Sequence, residues 1–181
     1  MRTMKNVVLW DKEFKISYPA RDIKKDIEKM AQAVTNDLVN DVNPLFLSVL
    51  NGSFIFTADF VRCLEFPCEI SFVKLASYKG TETTGSVNEL IGLTENIEGR
   101  TVIILEDIVD TGITLGKLID TLKSHNPKAV KIATLLFKPD SYKGKVKVDY
   151  VGRSIPNEFI VGYGLDYNGL GRNLADIYTL V

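Results

Sequence analysis

Cysteine, histidine and tryptophan are scarce in this chain: two, one and one among 181 residues. Cys63 and Cys68 lack CxxC spacing and have no histidine beside them. That excludes the common zinc and redox motifs and gives no disulfide framework, so both read as reduced thiols in or near the core. The lone His125 falls at an expected helix C-terminus, where a cation suits the dipole, and reads as structural. Charge of one sign is also missing. Lys and Arg number 22 and Asp and Glu 23, for a net charge of −1. Nothing there suggests a nucleic-acid surface. No apolar run approaches the ~20 residues that cross a bilayer. The opening MRTMKNVVLW is too short in its apolar part for a signal peptide. The expectation is a cytoplasmic protein with no nucleic-acid or membrane partner.

What is present suits one globular domain: 45% of residues are hydrophobic and 25% charged. Ile23, Ile27, Met30, Ala31, Val34 and Leu38 recur at helical spacing, which predicts an amphipathic helix over roughly 20–39. Short apolar runs predict buried strands at 44–50, 68–75, 101–105, 129–137, 148–151 and 159–163. Helical spacing returns at 53–63 and again from Thr114 or Leu115 towards Asn126-Pro127. Strand and helix alternate with short joins. That favours an α/β fold with a mainly parallel twisted sheet flanked by helices. The segment 77–89 is polar, rich in Gly, Thr and Ser, and long for a loop; such loops tend to be lids.

One stretch carries chemistry. VIILEDIVDTGIT, residues 102–114, runs from an apolar strand into Glu106 and Asp107, then into Asp110-Thr111-Gly112-Ile113-Thr114. Ligands of open α/β sheets gather beyond the carboxyl ends of strands. A turn entering a helix there offers backbone N–H groups and hydroxyls to a phosphate. It is neither a Walker loop nor a GxGxxG turn. Carboxylates repel phosphate, so their presence needs a ligand with a second chemistry. A sugar phosphate supplies it: its hydroxyls want acceptors, directly or through Mg²⁺.

This stretch resembles the phosphoribosyl-pyrophosphate (PRPP) signature of the type I phosphoribosyltransferases. The likeness narrows to the hypoxanthine (guanine) phosphoribosyltransferases and covers almost the whole chain. It rests also on Leu50-Asn51-Gly52-Ser53, on Lys74-Leu75-Ala76-Ser77-Tyr78, on Lys138, and on Phe159 through Asn168 followed by Arg172.

The resemblance implies one domain over 1–181, with a core at about 20–150. The N-terminal segment and about 151–181 would form a small hood. It implies transfer of the 5-phosphoribosyl group from PRPP to N9 of a 6-oxopurine, with Mg²⁺ and loss of pyrophosphate. Asp110 matches the general base near the purine N7. Glu106 and Asp107 match acids facing ribose hydroxyls and metal, and Thr111, Gly112, Ile113 and Thr114 complete the 5′-phosphate loop with Asp110. Leu50, Asn51 and Gly52 match the pyrophosphate loop, and Arg172 a pyrophosphate contact. Asp166 matches a second acidic position near purine, metal and pyrophosphate. Lys138 matches the donor to the purine O6, Phe159 the ring that stacks on the base, and Ile160 the backbone reading its edge. Ser77 and Tyr78 match the lid dipeptide. Lys74 matches a basic position near pyrophosphate or a subunit contact. A homodimer or homotetramer is implied as well.

Two departures stand out. Asn51 occupies a position that is often basic, and Ile113 one where some members carry Lys. Another base such as xanthine, or a non-catalytic PRPP-sensing role, stays open at this level.

Overall fold

The computed structural model describes residues 6–76 and 89–181. The lid positions Ser77 and Tyr78 lie outside the described residues. In chain order the elements are β1 (Asn6–Leu9), β2 (Lys12–Tyr18), α1 (Ala20–Leu38), β3 (Leu45–Leu50), α2 (Phe54–Val61), β4 (Glu69–Ala76) and β5 (Glu89–Ile91). They continue with β6 (Thr101–Val109), α3 (Ile113–Lys123), β7 (Ala129–Phe137), β8 (Tyr150–Ser154), β9 (Ile160–Val161) and β10 (Ile177–Leu180).

The larger sheet has the order β5-β4-β3-β6-β7-β8. Its five strands from β4 to β8 run parallel, and β5 pairs antiparallel on the β4 edge. Strands buried on both faces read as continuous apolar runs, as in LFLSVL of β3, whose first five residues are all buried. Phe46, Ile103 and Leu105 face a core that α1 and α2 cover. Leu45, Leu47, Val49, Val102 and Ile104 face the opposite core, under α3. Helix α1 buries Ile23, Ile27, Met30, Ala31, Val34, Thr35 and Leu38, the stripe its spacing predicts.

A second sheet, β1-β2-β10-β9, is antiparallel and joins the two ends of the chain. Its own small core holds Val7, Phe14, Val161 and Tyr178. No helix of the described residues is long and apolar enough to cross a membrane.

Several boundaries move. The strand expected at 101–105 runs to Val109, so Glu106 and Asp107 lie within β6 rather than after it. The reason is the ladder: pairing with β7 continues through Ile108↔Leu136 and Val109↔Phe137. Helix α3 starts at Ile113, one or two residues before the expected Thr114 or Leu115. The strand expected at 159–163 shrinks to Ile160–Val161, because Gly162 and Tyr163 turn to positive φ. Strand β8 is shifted to Tyr150–Ser154 and pairs with β7 in the larger sheet.

Strand order fixes where a ligand can sit. From β3 the chain steps outward to β4 on one side; from β6 it steps outward to β7 and β8 on the other. The order reverses between β3 and β6. Their carboxyl ends, Leu50 and Val109, therefore flank the crevice at the switch point.

Candidate active site

Beyond β6 the chain turns through Asp110 and Thr111 to Gly112, whose φ of 74° places it in the left-handed region as the N-cap of α3. Thr111, Ile113 and Thr114 are exposed there, and the helix opens with its free N–H groups towards the turn. A cavity of about 160 Å³ lies over this turn, lined by Glu106, Asp110, Thr111, Gly112, Thr114 and neighbouring apolar residues. That is a cradle of donors, with acids on its inner side. The Ile113 side chain is exposed, so only its backbone serves the cradle.

The segment after β7 braces this turn. The Lys138 N–H donates to the Val109 carbonyl and the Lys143 N–H to that of Thr111, each at 3.0 Å. Lys138 is 7% exposed, and its ammonium lies 3.1 Å from Asp110 Oδ2. A buried ammonium needs such partners. Asn157 Oδ1 accepts a second bond from it, at 3.4 Å.

Beyond β3 the Leu50–Asn51 peptide is cis. Gly52 permits a very close approach: a Cβ at this position would lie 1.7 Å from Asp107 Oδ2. Its carbonyl is met in turn by Gly164, where a Cβ would come within 2.0 Å. Lys74 is exposed and pairs in register with Leu50, beside the same turn. Arg172 donates to the Gly164 carbonyl at 2.6 Å and pairs with Asp166 at 2.5 Å. The other Asp166 oxygen accepts the Gly169 N–H at 2.7 Å.

The two strand acids differ from ordinary carboxylates. Burial, then the charge of Asp107, pushes Glu106 well above the usual range. Asp107 is 9% exposed and burial raises it to about 6, with its hydrogen bond from the Ile108 N–H and the nearby Arg172 pulling the other way. As successive strand residues the two acids point to opposite faces of the sheet, Glu106 to the cavity over the 110–114 turn and Asp107 to Gly52. Among the described residues no group of three or more His, Cys, Asp or Glu would hold a metal by itself. Mg²⁺ commonly takes one or two carboxylates and completes its shell with water and phosphate oxygens, so a single one of these acids is enough to fit it.

Glu106, Asp107, Asp110 to Thr114, Leu50 to Gly52, Lys138, Asp166 and Arg172 thus gather around two turns. Phe159 stands apart, beside the second sheet: it is 48% exposed, and its ring packs edge-on to Tyr167 with centroids 5.8 Å apart, tilted towards Phe14 at 6.2 Å. Ile160 is buried in β9 just after it. Three contributors escape sequence reasoning. Asn157 binds Lys138 from 19 residues away. Tyr142 covers Gly112 so closely that a Cβ there would lie 2.2 Å from the ring. Ser48, the one hydroxyl in LFLSVL, is the only signal of the third, a hydrogen-bonded chain beneath the 50–52 turn.

A larger cavity of about 650 Å³ lies elsewhere, lined by α1, α2 and residues 173–175. It has no phosphate turn, and the chemistry described above does not reach it.

The phosphoribosyl transferase domain family matches residues 18–168. A hypoxanthine-guanine phosphoribosyltransferase of Streptococcus pyogenes is 44% identical over 167 residues, covering 92% of this chain and 92% of that protein. The crystal structure of a Bacillus anthracis hypoxanthine-guanine phosphoribosyltransferase superposes with a TM-score of 0.81 at 37% identity, over 92% of this chain and 96% of that one. A Trypanosoma cruzi hypoxanthine phosphoribosyltransferase, solved as a ternary substrates complex, superposes at 0.82 with 38% identity, over 92% and 94% of the two chains. With a family match over most of its length and relatives this similar, the chain belongs to the phosphoribosyltransferase family.

Proposed function

We propose that this enzyme salvages 6-oxopurines, joining hypoxanthine, and guanine with it, to the ribose of PRPP to give IMP or GMP. The observation that carries the reading is the Lys138–Asp110 pair at 3.1 Å beside the phosphate turn. A 6-oxopurine presents an acceptor at O6 and a donor at the ring N–H. Lys138 donates and Asp110 accepts, so the pair matches that edge. Adenine puts a donating amino group where O6 would be, which leaves a buried ammonium facing a donor.

In the reaction N9 bonds to C1′ as the C1′–O bond to pyrophosphate breaks, and the ring proton at N7 passes to Asp110. The 110–114 turn holds the 5′-phosphate, and Glu106 and Asp107 face the ribose hydroxyls. The 50–52 turn and Arg172 take the departing pyrophosphate, for which a guanidinium fork is apt. Phe159 and the Ile160 backbone take the base. Mg²⁺, held by Glu106 and Asp107 with Asp166 nearby, would offset negative charge on the pyrophosphate. Both Asp166 oxygens already accept hydrogen bonds, and one Asp107 oxygen accepts the Ile108 N–H. The four-stranded sheet acts as a hood over one domain. A cytoplasmic homodimer or homotetramer completes the reading.

The test is direct. Protein with Mg²⁺, PRPP and hypoxanthine yields IMP, and adenine yields no AMP. Lys138→Ala raises the KM for hypoxanthine far more than that for PRPP. No product with any 6-oxopurine refutes the activity; equal losses for both substrates refute the role of Lys138.

A further inference from the structure

Ser48 and Ser53 are wholly buried and Thr57 is 2% exposed. Buried hydroxyls are costly unless bonded, and these three bond to one another. Ser48 Oγ lies 2.7 Å from Ser53 Oγ and 2.7 Å from Thr57 Oγ1. Ser53 Oγ donates to the Val49 carbonyl at 2.5 Å. Each hydroxyl has a single proton. Ser53 spends its own on Val49, so Ser48 must donate to Ser53. Thr57 must then donate to Ser48. The chain has one direction: Thr57 to Ser48 to Ser53 to the Val49 carbonyl.

Its position is what matters. Ser53 is the N-cap of α2, where a serine side chain ordinarily accepts a bond from the helix's free N–H groups. Here it makes no such cap. It reaches back across the 50–52 turn to the end of β3. Ser48 does the same from the strand side, reaching the first turn of α2 at Thr57. The two arms of the turn are tied together under it. Above it, Gly52 meets Asp107 and Gly164.

We infer that Thr57, Ser48 and Ser53 are positioning residues that hold the 50–52 turn in the form that receives pyrophosphate. The inference rests on the pyrophosphate reading of that turn. Asn51 brings no charge to it, so binding there depends on accurately placed backbone donors, and those are what the hydroxyl chain fixes.

The experiment compares two ligands by calorimetry. PRPP with Mg²⁺ engages the pyrophosphate turn; IMP carries the 5′-phosphate, ribose and purine but no pyrophosphate. Ser53→Ala breaks two bonds and weakens PRPP by about 10-fold, the effect of roughly one lost hydrogen bond, while IMP binding is unchanged. Ser48→Ala has a smaller effect and Thr57→Val, which keeps side-chain shape, the least. Equal weakening of both ligands, or of neither, overturns the inference, as does Thr57→Val matching Ser53→Ala. A wild-type protein that binds no PRPP refutes the proposed function as well; variants that match a PRPP-binding wild type refute this inference alone.

Discussion

Asp107 concentrates the site's physics in one side chain. One oxygen accepts the Ile108 N–H at 3.0 Å, and the other lies against the α-carbon of Gly52. Burial raises its pKa from the usual 3.8 to about 6, the charge of Asp166 adds to the rise, and that of Arg172 opposes it. The folded state therefore holds the proton more tightly than the unfolded chain does. The protonated group contributes stability that is complete below pH 3.8 and is lost as pH rises through about 6. At pH 8 its ionised form is a burden on the order of 3 kcal/mol in the ligand-free protein. Asp107→Asn removes that burden. Thermal melts of the metal-free protein should show the gap, variant minus wild type, growing more positive between about pH 4 and pH 6 and level above that. A gap that stays constant from about pH 4 to pH 6 would contradict it.

Elements differ in how far their sequence announces them. Strand β7 appears at 129–137 as its apolar run predicts, and α1 within one residue of its predicted end. Both are decided by local pattern. β1, β2 and β10 were not legible as strands. β2 pairs with a strand about 160 residues away, and short alternating segments such as KEFKISY gain their form only from that pairing. The site divides the same way. The 110–114 turn is one continuous motif and could be read directly. The Lys138–Asp110 pair spans 28 positions, and before folding only family likeness linked its members. The acids of β6 misled because charged residues look like the end of a strand, whereas the ladder to β7 carries the strand past them.

The turn after α1 gives an element-scale test. Asp41 accepts from Lys128 and from Thr101, the latter at 2.7 Å, and so pins the end of α1 to the starts of β6 and β7. The Lys128 bond, then that of Thr101, holds its carboxyl below the usual range. A depressed folded pKa gives stability that is present above the unfolded value and lost as pH falls through the folded one. Asp41→Asn should lower the Tm at pH 7 by roughly 2–4 °C, about 1 kcal/mol. The difference should close as pH drops below about 4. A gap of the same size at pH 3 would mean that the charge plays no part.

At the scale of the molecule, the site is shared between its two sheets. The 50–52 and 110–114 turns belong to the parallel sheet, while Gly164, Asp166 and Arg172 lie in the connection between β9 and β10. Gly164 against the Gly52 carbonyl is the visible seam between them, and the Arg172 bond to Gly164 braces it from within the connection. A ligand that spans from the 5′-phosphate cradle to Arg172 should therefore hold both units in the folded state. PRPP with Mg²⁺ at about 100 times its Kd stabilises by about 2.7 kcal/mol, raising the Tm by roughly 5–10 °C. Arg172→Ala removes the ion pair with Asp166 and the support of Gly164 as well as the proposed pyrophosphate donor. Most of the PRPP-induced rise should vanish in that variant at the same ligand concentration, while IMP still raises the Tm. An Arg172→Ala protein with the full PRPP shift would show that the connection between β9 and β10 takes no part in holding pyrophosphate.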